Sequence, residues 1–390
     1  MTQEPKIFPY IARLLQGAEV VWKPLGEVVT TITAPTKLNR SEYKQEGLIP
    51  IIDQGIDFIA GYTDEAFTPV KSDTYILFGD HSEHIKYVDF AFIQGADGLK
   101  ILKPKEGNAK YIYYAFINFY HKQLNYKRHW SVAKETIIPL PPLSIQQEIV
   151  RILDKFTQLE AELEAELDCR KRQYEYYRNK LLTFNEIGGG TEIVWKTLGE
   201  AGTFIRGNGL QKKDLITSGI PAIHYGQIYT YYGVSAEQTI SFVSPETAKG
   251  LRKVDYGDVI ITNTSENIDD VGKAVAYCVK EQGVTGGHAT IFKPSEKIIG
   301  KYLVYYTQTT EFSNQKRKYA KGTKVIDISA NDLAKIIIPL PSLEEQQRIA
   351  SILDKFDILV NSISEGLPKE IALRRKQYEY YRERLLSFPS

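Results

Sequence analysis

The chain has 390 residues, of which 43% are hydrophobic and 25% are charged, and its formal net charge is +1. These values indicate a globular protein of two or three domains and exclude a fibrous or wholly disordered chain. The near-neutral charge argues against nucleic-acid binding over the whole surface, so any basic surface is expected to be local or provided by partners.

The first half of the chain is predicted to place a mixed α/β domain before a long helix. Short elements are expected at 6–17 (helix), 74–78 (strand) and 110–121 (helix). Three prolines between 139 and 142 end a strand-like pair, and Ser144 is the expected helix N-cap, with Gln147 at the capping-box position. Apolar residues then recur every three or four positions, with one stutter, which predicts a coiled-coil-like helix over 144–184, ~60 Å long.

The second half is predicted to repeat this plan. A glycine run at 188–190 is expected to be a flexible link. Short elements follow at 259–262 (strand), 273–279 (strand) and 300–319 (helix). A second long helix begins near residue 344 and ends at Phe388, and Pro368, within Gly366-Leu367-Pro368, is predicted to kink or break it.

Three segments occur twice in the same order. The pairs are 21–27 with 194–200, 137–156 with 337–356, and 172–184 with 376–388. The second pair is identical at 14 of 20 positions and the third at 9 of 13, which chance cannot plausibly produce. The intervening stretches, 28–136 and 201–336, share no obvious motif. The chain is therefore predicted to hold two different inserts in two similar frames, the frame being the three repeated segments.

Each long helix carries one apolar stripe, and such a helix needs a partner. The predicted partner is its own copy, in an antiparallel coiled coil with a twofold-like arrangement of the repeats. The alternative is that each helix packs only on its own globular half. The residues predicted to form the coiled coil or to bind partner subunits are Gln146, Gln147, Phe156, Tyr174, Tyr177, Gln346, Gln347, Phe356, Tyr378 and Tyr381.

The sequence contains no recognisable catalytic motif. The GNGLQK stretch at 207–212 lacks the third glycine of a dinucleotide-binding loop and the GK[ST] of a phosphate-binding loop, so a tight turn is favoured. His81 and His84 lie near two carboxylates, but a polar contact loop is favoured over a metal site. Cys169 and Cys278 lie outside any CxxC pair, which disfavours zinc binding and a disulfide framework. We therefore expect neither a catalytic site nor a metal ion in this chain.

Two basic segments precede the proline-rich boundary at equivalent places in the two halves, one at 121–130 and one at 316–324. Their cations suit phosphate contacts, and polar loops at 36–40, 79–86, 207–213 and 262–270 carry side chains that can read base edges. A charge run can equally be a solvated face, and a polar loop a plain surface loop. The candidate DNA-binding residues are Lys37, Asn39, Arg40, His81, Ser82, Lys86, Lys127, Arg128, Lys212, Lys213, Thr264, Ser265, Asn267, Lys316, Arg317, Lys318, Lys321 and Lys324.

The repeated segments resemble a known family. PLPxLxxQQxIxxILDKF, closed by QYEYYRxxLLxF, resembles the two conserved helical regions of the specificity subunits of type I restriction–modification enzymes, and the WKxLGE entries resemble that family too. In the inserts, FGDHSEHIKYVDF and NTSENIDDVGKAVA resemble two different classes of target recognition domain. The resemblance covers essentially the whole chain.

The resemblance implies an α/β fold class: two mixed α/β target recognition domains joined by two long helices in an antiparallel coiled coil, with an internal pseudo-twofold repeat. Its domains would be an N-terminal helix (1–20), a first recognition domain (21–143), a central helix (144–186), a Gly-rich linker (187–193), a second recognition domain (194–343) and a C-terminal helix (344–390). The Gly366-Leu367-Pro368 insertion makes the second helical segment four residues longer and bent.

The resemblance also implies a function. Each recognition domain would read one half of a bipartite target in double-stranded DNA, and the coiled coil would set the spacing. The frame would recruit two modification (methyltransferase) subunits and restriction subunits. S-adenosylmethionine, ATP and Mg²⁺ would be bound by those partners and not by this chain, which would be a non-catalytic subunit.

Two alternatives belong to other classes of protein: a stand-alone nuclease or methyltransferase, and a coiled-coil adaptor that does not bind nucleic acid. The location is expected to be cytoplasmic, because the first residues lack a signal pattern and no apolar run approaches the ~20 residues of a membrane helix.

Overall fold

The computed structural model describes residues 8–184 and 193–389 and divides the chain into two units. Unit 1 comprises Met1–Glu164 and Glu370–Ser390, and unit 2 comprises Ala165–Lys369. Both boundaries fall inside helices, so each unit combines one insert with parts of two helical segments. Residues 187–192 of the predicted linker, and the first two residues of the predicted leading helix, lie outside the described residues.

Unit 1 contains the N-terminal insert. In chain order its elements are α1 (Pro9–Leu15), β1 (Val21–Pro24), α2 (Leu25–Val28), β2 (Val29–Ile32), β3 (Ile49–Ile52), β4 (Gly61–Thr63), β5 (Tyr75–Gly79), β6 (Ile85–Val88), β7 (Ile93–Gln94), β8 (Leu99–Pro104), α3 (Ala109–Phe119), α4 (Trp130–Ala133), β9 (Ile137–Leu140) and the start of α5 (Leu143–Leu182). One sheet has the order β2-β8-β5-β6, and a second has the order β4-β3-β7, in which β3 and β7 are parallel.

Strand β5 lies between two hydrophobic cores, and this position explains why its sequence is apolar throughout. Ile76 and Phe78 pack in a core with the helices, whereas Tyr75 and Leu77 pack in a second core with Phe92 of the other sheet region. Because successive side chains of a strand point to opposite faces, a strand covered on both faces is apolar throughout. All five residues of β5 are buried.

Unit 2 contains the second insert. Its elements are the rest of α5, β10 (Val194–Thr197), α6 (Leu198–Ala201), β11 (Gly202–Arg206), β12 (Ile220–Ile223), α7 (Tyr225–Thr230), β13 (Ser235–Ala236), β14 (Ser241–Val243), α8 (Pro245–Lys249), β15 (Arg252–Val254), β16 (Val259–Thr262), β17 (Thr264–Ser265), β18 (Ala274–Tyr277), β19 (Gly283–Thr285), β20 (Ala289–Pro294), α9 (Gly300–Thr307), α10 (Thr310–Tyr319), β21 (Ile326–Asp327), α11 (Ala330–Leu333), β22 (Ile337–Leu340), α12 (Leu343–Asn361) and the start of α13 (Gly366–Leu385).

The two inserts share a topology that their sequences conceal. In unit 2 the sheets run β11-β20-β16-β18-β13 and β14-β12-β19-β15, so β11, β20, β16 and β18 repeat the order β2-β8-β5-β6. Strand β12 pairs antiparallel with β14 and parallel with β19, as β3 does with β4 and β7. The inserts are therefore two versions of one fold.

The repeated motifs pair with each other inside each unit. Strand β1 pairs antiparallel with β9, which places Trp22 opposite Pro139, and β10 pairs with β22, which places Trp195 opposite Pro339. The segments before and after each insert thus close into a two-stranded ribbon, so the insert begins and ends at one place.

The predicted helices exist with corrected ends. Helix α5 begins at Leu143, so the predicted N-cap Ser144 is wrong: it lies in the first turn, and Pro142 precedes the helix. In the second copy Ser342 is the N-cap and accepts the N–H of Glu345. The predicted 300–319 helix is divided into α9 and α10.

The predicted break in the second long helix is confirmed. Helix α12 ends at Asn361 and α13 begins at Gly366. Pro368 lies in the first turn of α13, where a proline N–H is not needed for a helical hydrogen bond. Gly366 has a φ of +74°, and a Cβ there would lie 2.4 Å from the carbonyl oxygen of Ile358.

The helical segments pair antiparallel within unit 1. Phe156 of α5 stacks on Tyr381 of α13 with 5.2 Å between ring centroids, and Arg375 forms ion pairs with Glu160 and Glu164. Residue numbers therefore rise along one helix as they fall along the other. The predicted antiparallel pairing is therefore confirmed. The start of α5 also packs on its own insert through Ile149 and Leu153. None of the helices in the described residues is long and apolar enough to cross a membrane.

Candidate nucleic-acid interface

In unit 1 the structure joins a predicted polar loop to a predicted basic segment. The loop after β5 and the segment 121–129 are connected through backbone and side-chain hydrogen bonds: the carbonyl of Asp80 accepts the N–H of His129 at 2.8 Å, and Nδ1 of His81 lies 3.1 Å from the carbonyl of Lys127. Residues that are 40 to 50 positions apart in sequence thus form one surface.

Two buried carboxylates hold this surface together. One oxygen of Asp80 accepts the N–H groups of His129 and Trp130 at 2.9 and 2.8 Å. Glu83 accepts the N–H groups of Gln123 and Leu124 at 2.7 and 2.9 Å. Burial acts to raise the pKa of Glu83, but hydrogen bonds to its carboxylate outweigh burial and the pKa is lowered. These carboxylates fix the backbone, so they do not form the metal site considered for this loop.

A cleft of about 260 Å³ opens beside these carboxylates. Three predicted DNA-binding residues from separate segments, Lys37, His81 and Arg128, line it together with Lys100. Lys37 forms an exposed ion pair with Asp97 at 3.3 Å, which is weak in water and can be exchanged for a phosphate contact. The lining also contains Asp80 and Asp97, and Nζ of Lys100 lies 3.7 Å from a carboxylate oxygen of Asp80. Three cations thus outnumber two carboxylates, and the cleft is a small, weakly basic depression that suits an anionic partner.

Unit 2 has the equivalent arrangement with different chemistry. Strand β17, which contains Thr264 and Ser265, pairs with β21, and Lys321 forms a bridge to Asp327 of β21. The predicted polar loop 262–270 and the predicted basic segment are thus adjacent. Oγ1 of Thr264 lies 2.9 Å from Nδ1 of His288, whose ring packs on Tyr225 with 4.8 Å between centroids.

Short basic turns lie at equivalent positions in the two units. Arg40–Glu42 and Lys212–Asp214 each form a 3-10 turn. In each turn the residue before it donates its backbone N–H to the carboxylate of the last residue: Asn39 to Glu42, and Gln211 to Asp214. The acidic side chain is used within the turn, and the cations are exposed. Sequence comparison missed this equivalence because NRSE and QKKD share only a cation at the second position and an acidic residue at the fourth.

Two predicted DNA contacts are corrected by burial. Lys86 is 6% exposed and donates from Nζ to the carbonyls of Asp53 and Asp57; Lys316 is 5% exposed and donates to the carbonyl of Asp269. Burial lowers the pKa of both lysines. Their ammonium groups stabilise loops in the interior and are not available to a phosphate.

The other predicted residues remain at the surface. Arg317 is exposed but forms an ion pair with Asp269, and Ser82 donates its hydroxyl to the carbonyl of Gln54. Oδ1 of Asn267 accepts the N–H of Asp269 at 2.8 Å. The remaining residues of this set are exposed: Asn39, Lys127, Lys213, Lys318 and Lys324. Their contacts with DNA stay predictions.

The predicted partner-binding residues separate into an inner and an outer set. Gln346 is fully buried; its Oε1 accepts the N–H of Ile299, and its Nε2 donates to the carbonyls of Lys297 and Pro341, each at 2.9 Å. Gln146 makes the matching bonds in unit 1 to Asn108 and Pro141. Both glutamines therefore bind the helix to its own insert, whereas their neighbours Gln147 and Gln347 are exposed.

The aromatic residues of this set pack between helices. In unit 2 the rings of Tyr174 and Tyr177 stack on Phe356, with centroids 6.5 and 5.7 Å apart. In unit 1 Tyr378 packs edge-on against Tyr114 at 6.4 Å. These contacts account for the repeated tyrosines and for the phenylalanine that ends each ILDKF motif.

Sequence reasoning missed a duplicated polar cluster that secures helix to insert. Asp154 accepts the hydroxyl of Tyr114 at 2.7 Å and forms an ion pair with Lys110 at 2.9 Å. In unit 2, Asp354 accepts the hydroxyl of Tyr305 at 2.6 Å and forms an ion pair with Lys301 at 3.2 Å. Both aspartates belong to the repeated ILDKF motif, but their tyrosine partners do not keep the same distance in sequence. Tyr114 precedes Asp154 by 40 residues, whereas Tyr305 precedes Asp354 by 49. Within residues 8–184 and 193–389, no three His, Cys, Asp or Glu side chains are arranged to hold a metal ion.

The chain is similar to proteins of known family. The model of the "Type I restriction modification DNA specificity domain" matches residues 18–168 and 194–373. The chain is 37% identical, over 97% of both chains, to the Escherichia coli type I restriction enzyme EcoR124I/EcoR124II specificity subunit. It is 30% identical to a putative type I restriction enzyme specificity subunit of Haemophilus influenzae, over 97% of this chain and 98% of that protein.

Two solved structures share the fold. A type I restriction–modification S subunit from M. genitalium matches with a TM-score of 0.58 and 15% identity, over 96% of this chain and 97% of that chain. A chain from work on complex assembly and conformational transition of the type I R-M system matches with a TM-score of 0.62 and 16% identity, over 94% and 97%.

Proposed function

The chain belongs to the family of type I restriction–modification specificity subunits, DNA-recognition subunits with two recognition domains, and from that premise we propose that unit 1 and unit 2 each read one half of a bipartite DNA target. The observation that carries this proposal is the shared topology of the two inserts combined with different side chains at the same place. His81, in the loop after β5, lines a cleft with Lys37 and Lys100. Thr264, which follows β16, lies against His288, the residue before β20.

The different side chains suit different DNA contacts. A basic cleft binds phosphate or the acceptor atoms of guanine, whereas a hydroxyl paired with an imidazole offers both a donor and an acceptor to a base edge. Two versions of one fold in one chain would therefore recognise two unlike half-sites. The helical segments, which include the 40-residue helix α5, would set the spacing between the half-sites.

Partner subunits would perform the chemistry. We propose that two modification subunits and the restriction subunits dock on the repeated segments, where Gln147 and Gln347 are exposed at equivalent positions. S-adenosylmethionine, ATP and Mg²⁺ would be bound by those partners. Support comes from a structural neighbour that was studied as part of a type I R-M complex.

Methylation sequencing of the host, with and without this gene, tests the proposal. Loss of one bipartite methylated-adenine motif on deletion is the expected result, and an unchanged methylome would contradict it. As a second test, purified chain alone should transfer no methyl group from S-adenosylmethionine, whereas the chain with its modification subunits should. Methyl transfer by the chain alone would favour the stand-alone enzyme.

A further inference from the structure

The segment 121–128 of unit 1 exposes two large apolar side chains among cations. All eight residues from His121 to Arg128 are exposed, with Leu124 at 84% and Tyr126 at 88%. Single exposed apolar residues are common and need no explanation. Here two of them stand two residues apart at the same surface as the basic cleft, with Lys122 and Lys127 beside them.

The backbone of this segment is held in one conformation. Glu83, which is 2% exposed, accepts the N–H groups of Gln123 and Leu124, and Asp80, which is 4% exposed, accepts those of the two residues after Arg128. Two buried carboxylates therefore fix the middle of the segment and the residues that follow its C-terminal end. Burying the carboxylates of Glu83 and Asp80 costs free energy of desolvation, which is offset by their hydrogen bonds to the segment and to the residues that follow it. A flexible surface loop would not require buried hydrogen-bond acceptors of this kind.

The two apolar side chains are also positioned individually. Leu124 has a φ of +54°, a conformation that costs free energy for a leucine and persists only where the surroundings impose it. The ring of Tyr126 stacks on His81, with 5.2 Å between centroids and 20° between planes. The segment thus presents to solvent a leucine on a fixed backbone and an aromatic ring stacked on His81.

We propose that Leu124 and Tyr126 form a wedge that packs against and unstacks a base step in the half-site bound by unit 1. Apolar side chains inserted between base steps, with cations on the adjacent phosphates, are an established way for proteins to deform duplex DNA. A protein partner would be expected to meet a broad apolar face and not two side chains between lysines. The wedge rests on the proposed function, because it requires unit 1 to bind duplex DNA.

Unit 2 provides an internal comparison. Its equivalent turn carries Val325 at 60% exposure, next to the cations Lys321 and Lys324, and has no aromatic side chain between residues 320 and 325. Strand β21 continues from this turn and pairs with β17. The wedge is therefore a feature of one half-site only.

The test uses the full chain assembled with its modification subunits and duplexes that carry the motif selected by that complex from random DNA. 2-Aminopurine is placed in either half-site, at least two base pairs from the adenine that the complex methylates, because methyltransferases themselves extrude their target base. Its fluorescence rises when the base unstacks. We expect a rise at the unit 1 half-site only. Tyr126→Ala and Leu124→Ala should abolish the rise and weaken binding, with about a tenfold loss for the tyrosine. Leu48→Ala, an 87% exposed leucine of the same unit, is the matched control and should change neither.

Salt dependence separates the wedge from the cations. Tyr126→Ala should leave the slope of log K against log salt unchanged, whereas Lys127→Ala should reduce it by about 0.9, the value for one lost phosphate contact. Two results overturn the wedge and leave the proposed function intact, provided that the wild type binds its motif selectively. One is that the wild type gives no fluorescence rise, and the other is that Tyr126→Ala binds DNA as tightly as Leu48→Ala. Weakened subunit assembly in Tyr126→Ala, with unchanged DNA affinity, overturns it in favour of a protein contact. No selective binding by the wild type overturns both.

Discussion

Replacing Gln346 by alanine should destabilise unit 2 by about 3 kcal/mol. The side chain is fully buried and makes three hydrogen bonds of 2.9 Å, to Ile299, Lys297 and Pro341. Each contributes about 1 kcal/mol, and removing one partner leaves the other without its bond in a site that water cannot reach. The loss falls where α12 joins its insert, so it should loosen the contact between them.

Hydrogen-exchange mass spectrometry measures this loss for each unit separately. A destabilisation of about 3 kcal/mol corresponds to roughly 100-fold faster exchange of the protected amides in unit 2. Gln347→Ala is the matched control, because that neighbour is exposed and bonds Ser351 of its own helix at 3.2 Å. Gln146→Ala should give a smaller effect, about 2 kcal/mol, in unit 1. If Gln346→Ala exchanged like Gln347→Ala, the structural role assigned to the buried glutamine would be refuted.

Three further outcomes are expected. Tyr305→Phe removes one hydrogen bond to Asp354 and should lower the free energy of unfolding of unit 2 by about 1 kcal/mol, measured by urea denaturation. Because hydrogen bonds lower the folded pKa of Glu83, its stabilisation is fully present above the unfolded pKa of about 4.3 and is lost as pH falls through the folded pKa. Exchange protection at Leu124 should therefore persist at pH 5 and be lost only at a pH below the unfolded pKa. Lys86→Met should lower the free energy of unfolding of unit 1, because the carbonyls of Asp53 and Asp57 lose their donor. The slope of log K against log salt for DNA binding should not change, and a change in that slope would show that Lys86 does contact phosphate.

The frame could be predicted from the sequence because its signals are local and occur twice. The apolar period of α5, the proline-rich start of each helix and the break near Pro368 all follow from short stretches of chain. The ribbon that pairs Trp22 with Pro139 could not be predicted in the same way, since it joins segments more than a hundred residues apart.

The common fold of the inserts escaped sequence comparison for a physical reason. Ile49–Ile52 and Ile220–Ile223 are equivalent strands and share the pattern Ile-Pro-x-Ile, but four residues are too few to stand out between loops of unequal length. The core requires apolar residues of suitable volume and not particular ones, so strands of one topology can diverge almost completely.

The direction of single side chains was beyond sequence reasoning as well. Lys86 belongs to the polar motif FGDHSEHIK, yet in β6 it points inward, where the carbonyls of Asp53 and Asp57 accept its protons. Gln346 and Gln347 are identical neighbours, and helix geometry alone buries one and exposes the other. Composition identifies candidates for binding, but burial decides which of them can reach a partner.

Exchange of the second insert tests the central claim most directly. Residues 201–336 are replaced by the corresponding insert of a relative with a different target, and the methylated motif of a host carrying the chimera is sequenced. If each unit reads its own half-site, one half of the motif and the spacing stay as they were and the other half changes to that of the donor. A change in both halves, or no change in either, would contradict independent reading by two units of one fold.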